Sequence, residues 1–259
     1  EPTKKCRILI VTEEPEEDWV EKREEFSLDN NEVIIIWSRP FKGKPNLKNW
    51  SEVIERLIKE CKDSKIDLLV FDTISTFFPI NREKDSDEWL NALIPLYEFT
   101  RINVGVLLVH HFRKGAGEEA QAFRGSGVLG SFPSNIIEFI RDPEGYQYRR
   151  ILKTYGRFSQ AMPRTLIELQ LDMKYKTLGD PILVSKKHRK EKIITILKES
   201  KEPLSCKDIL NIYITHIKQL DGVTITLRSI QNYMQELLEN GIVIIADERV
   251  YPLSSAKCA

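Results

Sequence analysis

The sequence predicts an α/β protein: a mostly parallel sheet with an antiparallel margin, followed by a small helical domain. Three observations carry this. Short runs that are apolar throughout alternate with amphipathic helical stretches, as strands buried on both faces of a parallel sheet require. Later strands follow one another across turns too short for a helical crossover. The last seventy residues then change rhythm, to three amphipathic helices and a hairpin.

Four strand candidates organise the first part, at residues 7–12, 33–37, 68–71 and 104–109. Before the third, SEVIERLIKECK repeats apolar residues at Ile54, Leu57, Ile58 and Cys61, the spacing of one helix face, until Asp63-Ser64 breaks it. After it, Trp89, Leu90, Leu93, Ile94 and Tyr97 predict another helix, which Pro95 kinks or ends. A polar, glycine-containing stretch, FRKGAGEEAQAFRGSG, follows the fourth strand. Strands are expected again at 135–140, 146–154 and 165–172. The second of these follows the turn Asp142-Pro143-Glu144-Gly145 and is therefore antiparallel to its predecessor.

In the C-terminal part, HRKEKIITILKES, LSCKDILNIYITHI and TLRSIQNYMQELLENG read as helices. The third places Leu227, Ile230, Tyr233, Met234, Leu237 and Leu238 on one face, and Gly241 ends it as a glycine just past a helix does. IVIIADERVYPL reads as a hairpin. Three helices and a hairpin resemble a winged-helix domain. The expected division is 1–179 for the sheet domain, 180–187 for a linker and 188–259 for the small domain.

Composition excludes more than it assigns. Lys plus Arg and Asp plus Glu both number 39, so net charge does not point to nucleic acid. Distribution is uneven: the first thirty residues hold ten acids and five bases, and residues 186–259 hold twelve bases and nine acids, beginning with KKHRKEK. Cys6, Cys61, Cys206 and Cys258 are scattered without a CxxC pair, which fits a reduced compartment better than a disulfide scaffold or zinc site. No stretch approaches eighteen continuous apolar residues and none reads as a signal peptide, so the expected location is cytoplasmic, without a membrane partner. The chain begins at Glu1 and enters the strand CRILIVT almost at once, so an N-terminal piece is expected to be missing.

In DLLVFDTISTFF a carboxylate, Asp72, ends a buried strand and is followed by Thr73, Ser75 and Thr76. Ligands collect at the carboxyl ends of parallel strands, and an acid there can hold Mg²⁺ through water beside nucleotide phosphates. The alternative is a helix cap. CRILIVTEEPEEDW ends another strand with Glu13 and Glu14, where a carboxylate could polarise water for attack on a γ-phosphate. The alternative is a solvated acidic helix start that includes Glu16, Glu17 and Asp18.

In VLLVHHFRKG, His110 and His111 finish a strand, either as core histidines or as a sensor of phosphate charge. Arg113, Lys114, Arg124 and Ser126 lie in a glycine-containing loop suited either to solvent or to a phosphate backbone.

The order TEEP, LLVFDTIS, VLLVHHFRKG, FRGSG, LKTYGRF resembles the RecA-like P-loop ATPases of the RepA replicative-helicase group, within the AAA ATPases, from about Cys6 to Asp172. The resemblance implies ATP and Mg²⁺ as cofactors. Glu13 would activate water, Asp72 would be the Walker B acid with Glu14 and Thr73 beside the nucleotide, and His111 would sense phosphate. Residues 112–127 would form a channel loop on single-stranded DNA. It also implies a ring of copies, such as a hexamer, in which Lys153 or Arg157 acts on the neighbour's site, the alternative being ordinary surface charge.

One departure stands out: the phosphate-cradling GxxxxGK[ST] motif occurs nowhere in these residues. The reading is therefore a RecA-like core whose N-terminal strand and P-loop are missing. Such a piece is expected to be unstable or aggregation-prone through its exposed strand edges. On the small domain, Arg228, Gln231 and Asn232 lie on the exposed face of the third helix, with side-chain types that read phosphates or base edges of duplex DNA. The function expected is an ATP-dependent DNA motor or clamp, a replicative helicase in plasmid or phage replication or recombination. The alternative is a catalytically silent DNA-binding or regulatory protein on the same scaffold.

Overall fold

A computed structural model describes residues 5–26, 34–82, 84–111, 127–144, 146–157, 164–200, 202–217, 225–246 and 249–252. The chain divides into two compact units, residues 1–134 and 135–259.

The first unit is a four-stranded parallel sheet, β1 (Ile8–Thr12), β2 (Ile34–Ser38), β3 (Leu68–Asp72) and β4 (Gly105–Val109), in the order β2-β1-β3-β4. Its helices are α1 (Glu16–Glu25), α2 (Leu47–Asp63), α3 (Ile74–Phe77), α4 (Ser86–Leu93), α5 (Tyr97–Arg101) and α6 (Gly127–Ser131). Helix α2 starts where the Asn46 side chain accepts the Asn49 N–H; it buries Ile54, Leu57 and Cys61 of the predicted stripe together with Trp50 and Val53, and leaves Ile58 partly buried. Pro95 sits in a single 3₁₀ turn, Ile94–Leu96, that separates α4 from α5, since its ring cannot continue the α ladder.

Aromatic rings fill the space between α2, β3 and α4. Trp50 lies 5.5 Å from Phe71 and 4.9 Å from Phe78, and Phe78 lies 6.1 Å from Trp89. The Trp50 indole N–H donates to the Ala92 carbonyl at 3.1 Å, so this buried ring keeps its polar atom satisfied.

The second unit opens with a four-stranded antiparallel sheet, β5 (Asn135–Arg141), β6 (Arg149–Gly156), β7 (Arg164–Leu169) and β8 (Tyr175–Gly179), in sequential order. The expected antiparallel margin on the parallel sheet is thus corrected: among the described residues these strands hydrogen-bond to one another and form a sheet of their own. Strand β8 was not foreseen; Gln170 to Lys174 make a tight turn, with Met173 at φ 60°, that returns the chain beside β7.

The remaining elements are α7 (Pro181–Glu199), β9 (Leu204–Ser205), α8 (Cys206–Ile217), α9 (Leu227–Glu239), β10 (Val243–Ala246) and β11 (Arg249–Pro252). Residues 181–187, read above as a linker, are the first two turns of α7. Asp180 caps that helix by accepting the Ile182 and Leu183 N–H groups, and Pro181 takes the first position, where its missing N–H costs nothing. Helix α7 packs on β7 and β8 as well as on α8, and for that reason the units divide at 134/135 rather than near 180. Ile193, Ile196, Ile209, Ile230, Met234 and Leu237 form the core beneath a three-stranded sheet of order β10-β11-β9.

Among the described residues no helix is long and apolar enough to cross a membrane.

Candidate active site

Strand register assembles the site. Thr12 of β1 pairs with Ser38 of β2 and with Asp72 of β3, and Asp72 pairs with Val109 of β4, so four strands end in one row. The next residues, Glu13, Arg39, Thr73 and His110, leave the sheet together at its carboxyl edge, where parallel sheets place their ligands.

Each glutamate is held differently. The Thr76 hydroxyl, from α3, donates to Glu13 Oε2, and the Arg39 Nε–H donates to the Glu13 carbonyl at 3.0 Å. The Glu13 N–H itself donates to the Asp72 carbonyl at 3.1 Å. Glu14 forms an ion pair with Lys22 of α1. Its N–H donates to Thr12 Oγ1 at 3.1 Å, and the Ser38 hydroxyl donates to its carbonyl at 2.6 Å. The acidic helix start does exist, but α1 begins at Glu16, after both glutamates, with Pro15 at its cap.

Asp72 caps no helix: α3 is preceded by Thr73, and no side chain bonds its first turn. Burial, then the charges of Glu14 and Glu13, raise the Asp72 carboxyl above the ordinary aspartate range, with His111 and Lys22 pulling it back. Three acids crowded at one strand edge thus make a place that favours a cation. Among the described residues no three His, Cys, Asp or Glu side chains converge to hold a metal directly. A single carboxylate binding Mg²⁺ through its water shell is the mode that fits this donor set.

The other expected residues fall as follows. Thr73 is buried, its hydroxyl 2.7 Å from that of Ser75. His110 is half-buried against Trp89, and burial lowers its basicity, with the His111 charge adding to that; it is the core histidine of the pair. His111 is exposed at the end of β4 and acts on Asp72 by its charge. Lys153 and Arg157 belong to the second unit: Lys153 is half-buried on β6 opposite Glu138 of β5, and Arg157 is exposed just past the end of β6. Arg228, Gln231 and Asn232 are exposed on α9. Arg113, Lys114, Arg124 and Ser126 lie outside the described residues.

Sequence reasoning missed the supports: Thr12, Lys22, Ser38 and Arg39 were not singled out. A Thr just before TEEP's two acids, and a Ser-Arg pair ending the neighbouring strand, were the available signals. Arg39 takes a left-handed φ of 46°, which turns the chain so that its N–H reaches the Thr12 carbonyl at 2.8 Å.

No curated protein matches the chain. Residues 2–117 match the family model of an AAA domain, and this segment carries β1 to β4 and the whole strand-end cluster.

Proposed function

We propose that the protein is an ATP-dependent DNA motor or clamp of the replicative-helicase type, serving plasmid or phage replication or recombination. It would work as a ring of copies, with hydrolysis between neighbours. The observation that supports this is the convergence of Glu13, Asp72 and His111 on one sheet edge within the AAA-matching segment.

In this reading Glu13, held by Thr76, polarises the attacking water, and His111 answers the phosphate charge. Asp72 takes Mg²⁺ through water, and the ion neutralises phosphate charge when bound. Lys153 or Arg157 serves the site of an adjacent copy. The α7–β11 segment, with the helix and strand order of a winged helix, offers Arg228, Gln231 and Asn232 to duplex DNA, and the 112–127 loop follows single-stranded DNA.

The test is the affinity for a single-stranded oligonucleotide, measured across salt with and without ATP and Mg²⁺. ATP is expected to shift it in the native chain and not in Asp72→Asn. The absence of GxxxxGK[ST] from all 259 residues favours a second reading, a silent DNA-binding scaffold. There both proteins bind DNA equally and ignore ATP.

A further inference from the structure

We propose that a cavity in the second unit, walled by β6, β7, α7 and the β5–β6 turn, binds a small amphipathic anion: an apolar body carrying one carboxylate or phosphate-ester group. The cavity measures about 450 Å³, within the range of small-molecule sites. Ile151, Leu166, Pro181, Ile182 and Val184 supply its apolar wall.

Its charges do not balance internally. Three of the four lining cations are already paired: Arg149 with Glu168 at 2.8 Å, Arg189 with Glu144 at 2.7 Å and Lys186 with Glu236 at 2.5 Å. The fourth, Arg164, is exposed at the start of β7 and has no ion-pair partner among the described residues. It faces Lys153 directly across the β6–β7 ladder, so two cations stand side by side, an arrangement that costs energy unless an anion lies between or over them. Glu138 faces Lys153 from the other strand, which leaves Arg164 as the uncompensated member of the row.

The cavity also holds Asp142, nine-tenths buried and without an ion pair among the described residues. One of its oxygens accepts the Glu144 N–H at 3.1 Å; the other is unbonded within the described residues. Burial raises this carboxyl above the ordinary aspartate range, which weakens its repulsion of an anion held at Arg164. A guanidinium without an ion-pair partner among the described residues, beside an apolar wall, matches an amphipathic anion.

The test is a fluorescence titration of the full chain with 8-anilinonaphthalene-1-sulfonate, itself an apolar body with one anionic group, followed by displacement. Saturable binding at one site is expected. Arg164→Gln should weaken it about tenfold, the loss of one charge-assisted hydrogen bond. Ile182→Glu, at an exposed position on the mouth, should abolish it, and Lys176→Gln on β8 should leave it unchanged. Displacement by octanoate assigns a carboxylate ligand and displacement by phenyl phosphate a phosphate ester. Equal affinity of Arg164→Gln and the native chain, with matching circular dichroism, or displacement by neither compound, overturns the proposal.

Discussion

Lys186 of α7 lies 2.5 Å from the Glu236 carboxylate of α9, and Lys190, one turn further along α7, closes on the same group. The basic run KKHRKEK is therefore turned largely inward: Arg189 pairs with Glu144, and Arg149 donates to the His188 ring nitrogen at 3.0 Å. Three of the five bases in the run, Lys186, Arg189 and Lys190, thus join α7 to α9 and to the β5–β6 turn.

The Glu236 carboxyl is held below the usual glutamate range by the hydrogen bonds from Lys186 and Lys190. A depressed acid stabilises the fold above its unfolded value, and that gain is lost as pH falls through the folded one. Glu236→Gln should thus lower the unfolding midpoint at neutral pH, by less at high salt because the pair is partly exposed. The difference should close only as pH falls below the ordinary glutamate range. Thermal melts at two pH values and two salt concentrations check this.

For Asp72 the sign is reversed. Its folded carboxyl is raised by burial and by Glu14 and Glu13, so its contribution is most favourable below the unfolded value and declines as pH rises through the folded one. At neutral pH Asp72→Asn should raise the midpoint by a few degrees. Mg²⁺ should stabilise the native chain and not the variant. A stability gain combined with loss of the metal response, read by calorimetry with and without Mg²⁺, marks a functional acid rather than a structural one.

Thr76 orients Glu13 through one hydroxyl. If Glu13 activates water, Glu13→Gln should cost 10²–10⁴-fold in single-turnover hydrolysis. Thr76→Val should cost about tenfold, chiefly in kcat rather than KM, and Thr76→Ser should restore it. Loss of nucleotide affinity in Thr76→Val, with the chemical step unchanged, would contradict the positioning role.

Phe78 is 1 % exposed and touches Trp50, Phe71 and Trp89. Phe78→Ala empties the centre of that cluster and should destabilise the first unit by about 3–5 kcal/mol, measured by urea unfolding.

On α9, Arg228 is exposed, whereas Ile230, Tyr233 and Met234 are buried. If this face meets duplex DNA, Arg228→Gln should flatten the dependence of binding on salt by about one ion, and Asn232→Ala should act on sequence preference rather than on the salt slope. Fluorescence anisotropy on two duplexes across salt separates the two effects.

Local periodicity was enough to locate β1 to β4, the buried stripe of α2 and the apolar face of α9, because residues i, i+3 and i+4 or an unbroken apolar run encode burial without any distant partner. The acids Glu13, Glu14 and Asp72 were legible for the same reason, as charges set at the ends of apolar strands. Their order of roles was not. That Glu13 is held by Thr76, 63 residues away, and Glu14 by Lys22 depends on which strands are neighbours, and the β1–β3 register is a tertiary fact.

The same holds for the second unit. The turn Asp142-Pro143-Glu144-Gly145 announced an antiparallel pair, but not that β5 to β8 would form a separate sheet or that α7 would extend back to Pro181. The sequence by itself determined where chain segments are apolar, capped or broken, since those depend on contacts a few residues long. Only the tertiary structure decided which charges meet: an ion pair such as Lys186–Glu236 joins residues fifty positions apart on two helices, and no local pattern records its partner.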